Sequence, residues 1–120
     1  MSLYISDPQR LRISFLYKIS GTGTRGLALL GKGDKMRLLG PLGHGFQLNP
    51  DWHHIVAIGR GAGLATLGPL AHAGQKAGMS VTAILSARRP DLVVSEALFR
   101  AQGARVIIIT DSEGTSRIYS

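Results

Sequence analysis

The sequence predicts an α/β chain. Its second half reads as a parallel sheet of three or more strands with flanking helices, and its first half as β-strands from the end of a barrel-like domain. Three observations carry this prediction. After residue 51, short apolar runs alternate with amphipathic helical segments in the order β-α-β-α-β. The first of those runs opens directly into Gly59-Arg60-Gly61-Ala62-Gly63. Before residue 50, short strand-like stretches are broken by glycine loops, the texture of part of a β-barrel.

The elements follow in order. Residues 3–6 (Leu-Tyr-Ile-Ser) read as a short strand broken by Asp7-Pro8. Residues 11–19 alternate, with Ile13, Phe15, Tyr17 and Ile19 on one face and Arg12, Ser14 and Lys18 on the other. That period of two is the mark of a half-buried antiparallel strand. Residues 21–24 (Gly-Thr-Gly-Thr) form a loop, residues 25–30 a short helical turn, and residues 31–34 a turn. Residues 35–39 read as another strand and residues 40–46 as a second irregular loop.

The texture changes near Pro50. Residues 55–58 are continuously apolar, as expected of a strand buried on both faces. Residues 64–77 read as a helix with Leu64, Leu67, Leu70 and Ala71 on one face and Gly78 at its end. Gly68-Pro69 is its weak spot, since proline is tolerated best in a first turn. Residues 81–85 form a second strand. Residues 91–102 form a second helix with Leu92, Val93, Ala97 and Leu98 near one face, closed by Gly103. Arg105–Thr110 is a third strand. Right-handed crossovers make these three strands adjacent and parallel, half of a doubly wound nucleotide-binding sheet. A complete sheet of that kind has about five or six strands, so the sequence reads as cut off. The expected units are residues 1–50 and 51–120.

Composition sets outer bounds. A length of 120 residues is room for one domain, or a small domain with a piece of another. Hydrophobic residues at 44% against 18% charged exclude a disordered chain. The absence of cysteine excludes a disulfide scaffold, thiolate zinc, iron–sulfur ligation and a cysteine nucleophile within this chain, and fits a reducing, cytoplasmic setting. No run approaches the roughly 18 apolar residues of a membrane span, and Asp7 interrupts any signal-like start. The net charge of +7 favours anionic partners, phosphorylated cofactors as well as nucleic acid.

Four places could carry chemistry. Gly59–Gly63 leaves a strand and enters a helix, where glycine backbone N–H groups can approach a phosphate. Its G-x-G-x-G spacing departs from the common dinucleotide fingerprint, because Leu64 stands where a third glycine belongs; a tight turn without ligand is the competing reading. After the next strand, Ser86-Ala87-Arg88-Arg89 offers a hydroxyl and two arginines with no acid, which tilts toward a phosphorylated ribose. A solvated loop before Pro90 is the alternative there. Gly21–Thr24 with Lys18 upstream could hold a pyrophosphate or be a flexible loop. Asp111, at the end of the third strand, lies in the usual ligand crevice of such sheets or caps the strand end. His44, His53, His54 and His72 show no metal-ligand spacing and read as surface or interface histidines.

Taken together, the motifs resemble the ferredoxin–NADP reductase superfamily, and within it the electron-transfer subunits of dihydroorotate dehydrogenase type. Leu16-Tyr17-Lys18 followed by Gly21–Thr24 resembles the flavin segment of that family. Gly33-Asp34, then Gly40-Pro41-Leu42-Gly43-His44-Gly45-Phe46, resembles the join between flavin barrel and nucleotide domain. Gly59 through Leu70 resembles its nicotinamide-binding turn, and Thr110-Asp111 its "T-D-D-G" strand end. Departures are Arg60 in place of a usual glycine, a proline shifted to Pro69, a missing "R-P-x-S" motif, and no "C-G-P" segment or cluster-binding cysteines.

The resemblance implies a fragment joining the back of an FAD barrel to the front of an NAD(P)-binding domain, with little activity alone. It implies contacts of Tyr17, Lys18, Gly23 and Thr24 with FAD. It implies contacts of Gly61, Ala62, Gly63, Ser86, Arg88 and Asp111 with the nicotinamide nucleotide. Electrons would pass on to a catalytic partner subunit, and a homo-oligomer is left open. A non-catalytic nucleotide-binding or interaction module ranks second. A nucleic-acid binder ranks third, because seven aromatic residues, Phe15 and Tyr17 on a strand face among them, make no stacking platform.

Overall fold

A computed structural model describes residues 2–111 and the backbone of residues 116–119. Its first elements are an antiparallel hairpin of β1 (Ser2–Asp7) and β2 (Arg12–Leu16), with Asp7 opposite Arg12 and Ser2 opposite Leu16. Asp7 ends β1 because its carboxylate accepts the Arg10 N–H at 3.1 Å, folding the chain back. β2 stops at Leu16, short of the expected residue 19. Among the described residues it pairs only with β1, so Ile13 and Ile19 stay exposed despite the alternation.

The next expectations need correction. Residues 22–24, expected in a loop, are the first turn of α1 (Thr22–Ala28). Thr24 explains the difference: its hydroxyl oxygen accepts the N–H groups of Ser20 and Gly21 at 2.9 and 3.0 Å and donates to the Gly21 carbonyl at 3.2 Å. That is one half of a capping box. No residue of α1 is buried. Residues 35–39 form no strand; Met36, Leu38 and Leu39 are exposed, and no neighbouring strand edge receives them among the described residues.

The expected parallel sheet is present. β3 (His54–Arg60), β4 (Ser80–Ala87) and β5 (Arg105–Thr110) lie side by side in that order, with Ile55 beside Val81 and Ala83 beside Val106. β6 (Ser116–Tyr119) adds antiparallel to β5, a strand the sequence pattern did not reveal because four residues carry too little period.

Residues 61–66 form a 3-10 segment and only then does α2 (Leu67–Lys76) begin. The helix begins one turn later than the expected residue 64. The reason is Pro69, which falls in the first turn of α2, where its missing N–H breaks no intrahelical bond. Leu64, Leu67 and Ala71 are buried as expected.

The helix expected over residues 91–102 is shorter. Pro90–Leu92 makes one 3-10 turn, Ser95 sits at a φ of 74°, and α3 covers Glu96–Ala101. Its anchor is Phe99, fully buried, whereas Ala97 and Leu92 of the expected face are exposed.

One face of the sheet is covered. Ile55, Ala57, Val81, Ala83, Leu85, Val106 and Ile108 form a core with Leu64, Leu67, Ala71 and Phe99. The opposite face leaves Val56 55% and Ile58 67% exposed, so β3 is not buried on both sides. Two right-handed crossovers that step the same way put α2 and α3 on the same side of the sheet. Close approach on that side depends on glycine: a Cβ on Gly74 would collide with the Ile55 side chain, and one on Gly68 would lie 2.9 Å from the Tyr4 carbonyl oxygen of the hairpin.

Candidate functional site at the carboxyl edge of the sheet

β3, β4 and β5 end side by side, so residues far apart in sequence meet at one edge. Gly59, near the end of β3, sets the geometry there. A Cβ on it would lie 2.6 Å from Leu64 Cδ2 and 3.0 Å from Leu67 Cδ1. The close strand–helix packing usually provided by a third glycine in the helix is provided here from the strand side, with Leu64 seated over Gly59. Gly61 then takes a φ of 56°, which turns the chain out of the strand. A Cβ at Gly61 or Gly63 would meet nothing within 4 Å, and Ala62 and Gly63 are exposed. Among the described residues, the turn is open and is not filled by side chains.

Arg60 is the residue that sequence reasoning passed over. In the parallel register it stands beside Ser86. Its Nη1 donates to Ser86 Oγ at 2.9 Å and to Asp111 Oδ1 at 3.2 Å, and its Nη2 donates to Asp111 Oδ2 at 2.5 Å. One guanidinium thus ties together the ends of three strands, with 53% of its side chain and 54% of the Asp111 side chain still exposed. Its substitution for a glycine was the signal in the sequence. What it reaches became visible only once β3 and β5 were placed on either side of β4.

The electrostatics follow from this contact. The hydrogen bond from Arg60 holds the Asp111 carboxyl below its ordinary value; partial burial opposes this, and the charges of Arg60 and Arg88 assist it. The Arg60 guanidinium is raised in turn, first by its hydrogen bond to Asp111 and then by that carboxylate's charge. Because the folded value for Asp111 is depressed, the pair stabilises the fold above the unfolded value of 3.8 and loses that effect as pH falls through the lower folded value. The melting-temperature difference between wild type and Asp111→Asn is therefore expected at pH 7 and should disappear in acid. It should be small, since the pair is solvent-exposed and screened.

The remaining expected residues fall as follows. Arg88 is exposed in the loop after β4 and acts on Asp111 through its charge. Arg89 pairs instead with Asp91 at 2.9 Å. Thr110 is 5% exposed and its hydroxyl has no hydrogen-bond partner among the described residues, which leaves an unused polar group next to Asp111. Gly61, Ala62, Gly63, Ser86, Arg88 and Asp111 are thus brought to one sheet edge. Tyr17, Lys18, Gly23 and Thr24 belong to other elements, just after β2 and on α1, and the Thr24 hydroxyl is engaged in capping that helix. His54 lies between Ser80 and Thr82 at the other end of the strands, with Nε2 3.1 Å from Thr82 Oγ1. Two further concavities border α2, one lined by Tyr4, Asp7, Gly68, His72 and Lys76 and the other by His44, Phe46 and Leu70; neither includes the strand ends. No helix among the described residues is long and apolar enough to cross a membrane.

The sequence matches no protein-family model. It is 44% identical over 48 residues to the electron transfer subunit of dihydroorotate dehydrogenase B (NAD(+)) from Clostridium acetobutylicum, which is 40% of this chain and 19% of that protein. It is 53% identical over 34 residues to the subunit of the same name from Listeria innocua, 28% of this chain and 13% of that one. Among solved structures, an NADH-dependent reduced ferredoxin–NADP oxidoreductase studied for flavin-based electron bifurcation superimposes with a TM-score of 0.83 at 26% identity. That likeness covers 94% of this chain and 43% of the other. The chain therefore spans less than half the length of each of these three relatives. In both sequence and fold, the chain resembles the ferredoxin–NADP reductase superfamily, with electron-transfer subunits and oxidoreductases as its relatives.

Proposed function

We propose that this chain provides the nicotinamide-nucleotide-binding edge of a flavin-dependent electron-transfer protein, in which electrons pass between NAD(P), FAD and a partner subunit. The observation that carries the reading is the meeting of an open glycine turn with Arg60, Ser86, Arg88 and Asp111 at the carboxyl ends of three parallel strands. That edge is where ligands bind in open α/β sheets.

The residues fit a dinucleotide. Gly61, Ala62 and Gly63 leave room for a diphosphate to approach the backbone, since no side chain of the described residues occupies the turn. Ser86 and Arg88 would hold the adenosine end, and Asp111 offers a polar contact beside it. FAD would be held by Tyr17, Lys18 and Gly23, with Thr24 fixing the helix that presents Gly23. When bound, the two cofactors supply the hydride chemistry themselves; the protein's part is to bind and orient them.

Titration of the 15N-labelled chain with NADPH tests this. Resonances of residues 60–63, 86–88 and 111 are expected to shift in a saturable way. A spectrum that NADPH leaves unchanged overturns the reading. The commitment of the Thr24 hydroxyl within the chain favours a second reading, a nucleotide-binding module without flavin. FAD separates the two: it shifts Tyr17, Lys18 and Gly23 under the first and leaves them unmoved under the second.

A further inference from the structure

We infer that Arg60 is a phosphate-reading residue held in reserve by Asp111: a phosphorylated nucleotide entering the strand edge takes the guanidinium from Asp111, and the freed carboxylate turns to the ligand's hydroxyls. This inference rests on the nucleotide reading above and adds to it a residue and an exchange of partners.

Four observations support it. Arg60 immediately precedes Gly61, so its side chain starts from the backbone that turns into the open glycine segment. The guanidinium lies across the edge, bonded to Ser86 on one side and bidentate to Asp111 beyond it. Any ligand seated over all three strand ends must therefore meet it. The pair is about half exposed, and such pairs are weak and readily screened, so little opposes its opening. A phosphate offers the same planar, two-point recognition with greater negative charge. Finally, the Ser86 hydroxyl accepts from Arg60, so its own proton stays available to a ligand oxygen.

The exchange also makes a distinction among anions. With Arg60 drawn to a phosphate, Asp111 is left as an acceptor beside Arg88. Ribose hydroxyls can donate to it. Inorganic pyrophosphate, which draws on Arg60 equally, brings no such donors and gains nothing from the freed carboxylate.

Calorimetric titrations of the 120-residue chain with ADP and with inorganic pyrophosphate, at one fixed salt concentration, test the exchange. Asp111→Asn is expected to bind pyrophosphate about two- to five-fold tighter than wild type, because an exposed ion pair no longer has to open. Arg60→Gln is expected to weaken both ligands on the order of tenfold, through loss of a charge-assisted contact. In the Arg60→Gln background, Asp111→Asn should bring no gain. A gain that persists there would reduce Asp111 to simple charge repulsion and overturn the exchange, as would an unchanged Arg60→Gln. Unchanged or weaker pyrophosphate binding by Asp111→Asn also overturns it. Wild-type chain that binds no ADP removes the nucleotide reading itself, an outcome distinct from ADP binding with indifferent variants.

Discussion

Phe99→Ala is expected to destabilise the chain by about 3–5 kcal/mol, the usual cost of removing a buried aromatic side chain and leaving a cavity behind. Phe99 is 0% exposed and is the only buried residue of α3. The helix has six residues, too few to persist on its own propensity, so its place against the sheet depends on that ring. Small domains have about 5–15 kcal/mol of total stability. The loss is therefore a large fraction of the whole, and the variant should melt at much lower urea concentration by circular dichroism. Protection of β5 amides should fall with it, because Ala104 N–H bonds the Phe99 carbonyl at 3.0 Å just before that strand begins. A shift of under about 1 kcal/mol, the size of an ordinary surface effect, would show that α3 is not held in this way.

Gly59→Ala is the second large effect and the one that joins stability to the site. The added methyl would lie 2.6 Å from Leu64 Cδ2, 3.2 Å from Leu64 Cγ and 3.0 Å from Leu67 Cδ1. Leu64 is 0% exposed and Leu67 8% exposed, so neither side chain can swing into solvent to make room. Overpacking of this kind costs about 1–3 kcal/mol. The alternative to that cost is displacement of the 3-10 segment, which carries Gly61, Ala62 and Gly63 away from Arg60 and Ser86. Chemical denaturation should show the destabilisation. NADPH titration should show a weaker complex in a chain that remains folded. Leu64→Ala in the same chain removes the atom in the way, so the double variant should lose less than the two single losses added together. Additive losses would mean that Gly59 and Leu64 do not share one space.

Much of the fold was legible in local pattern. The apolar runs at residues 55–58, 81–85 and 106–109 marked the three parallel strands. The placement of Gly59–Gly63 between a strand and a helix marked the turn. Gly68-Pro69 marked a weak spot in the helix expected over residues 64–77, and the structure resolves it with a 3-10 segment before α2. In each case the determining contacts are between residues a few positions apart, so the sequence carries them directly.

Other features could not be read this way. Residues 35–39 have the composition of a strand but lack an edge to join, and β6 has an edge in β5 but too few residues to announce itself. The Thr24 cap was missed because Gly21 and Gly23 just before it suggested a loop. The uncovered face of β3 follows from both crossovers stepping in one direction, a property of topology and not of any segment.

By itself, then, the sequence determined the order and kind of the main elements, the glycine turn, and the presence of Ser86, Arg88 and Asp111 near strand ends. Only the tertiary structure decided that Arg60 joins them, since its partner Asp111 lies 51 positions away and comes within bonding distance through the register of β3 with β4 and of β4 with β5. The physical reason is that turns and periods are set by neighbours along the chain, whereas a hydrogen bond between strand ends exists only after backbone pairing has fixed which residues stand side by side.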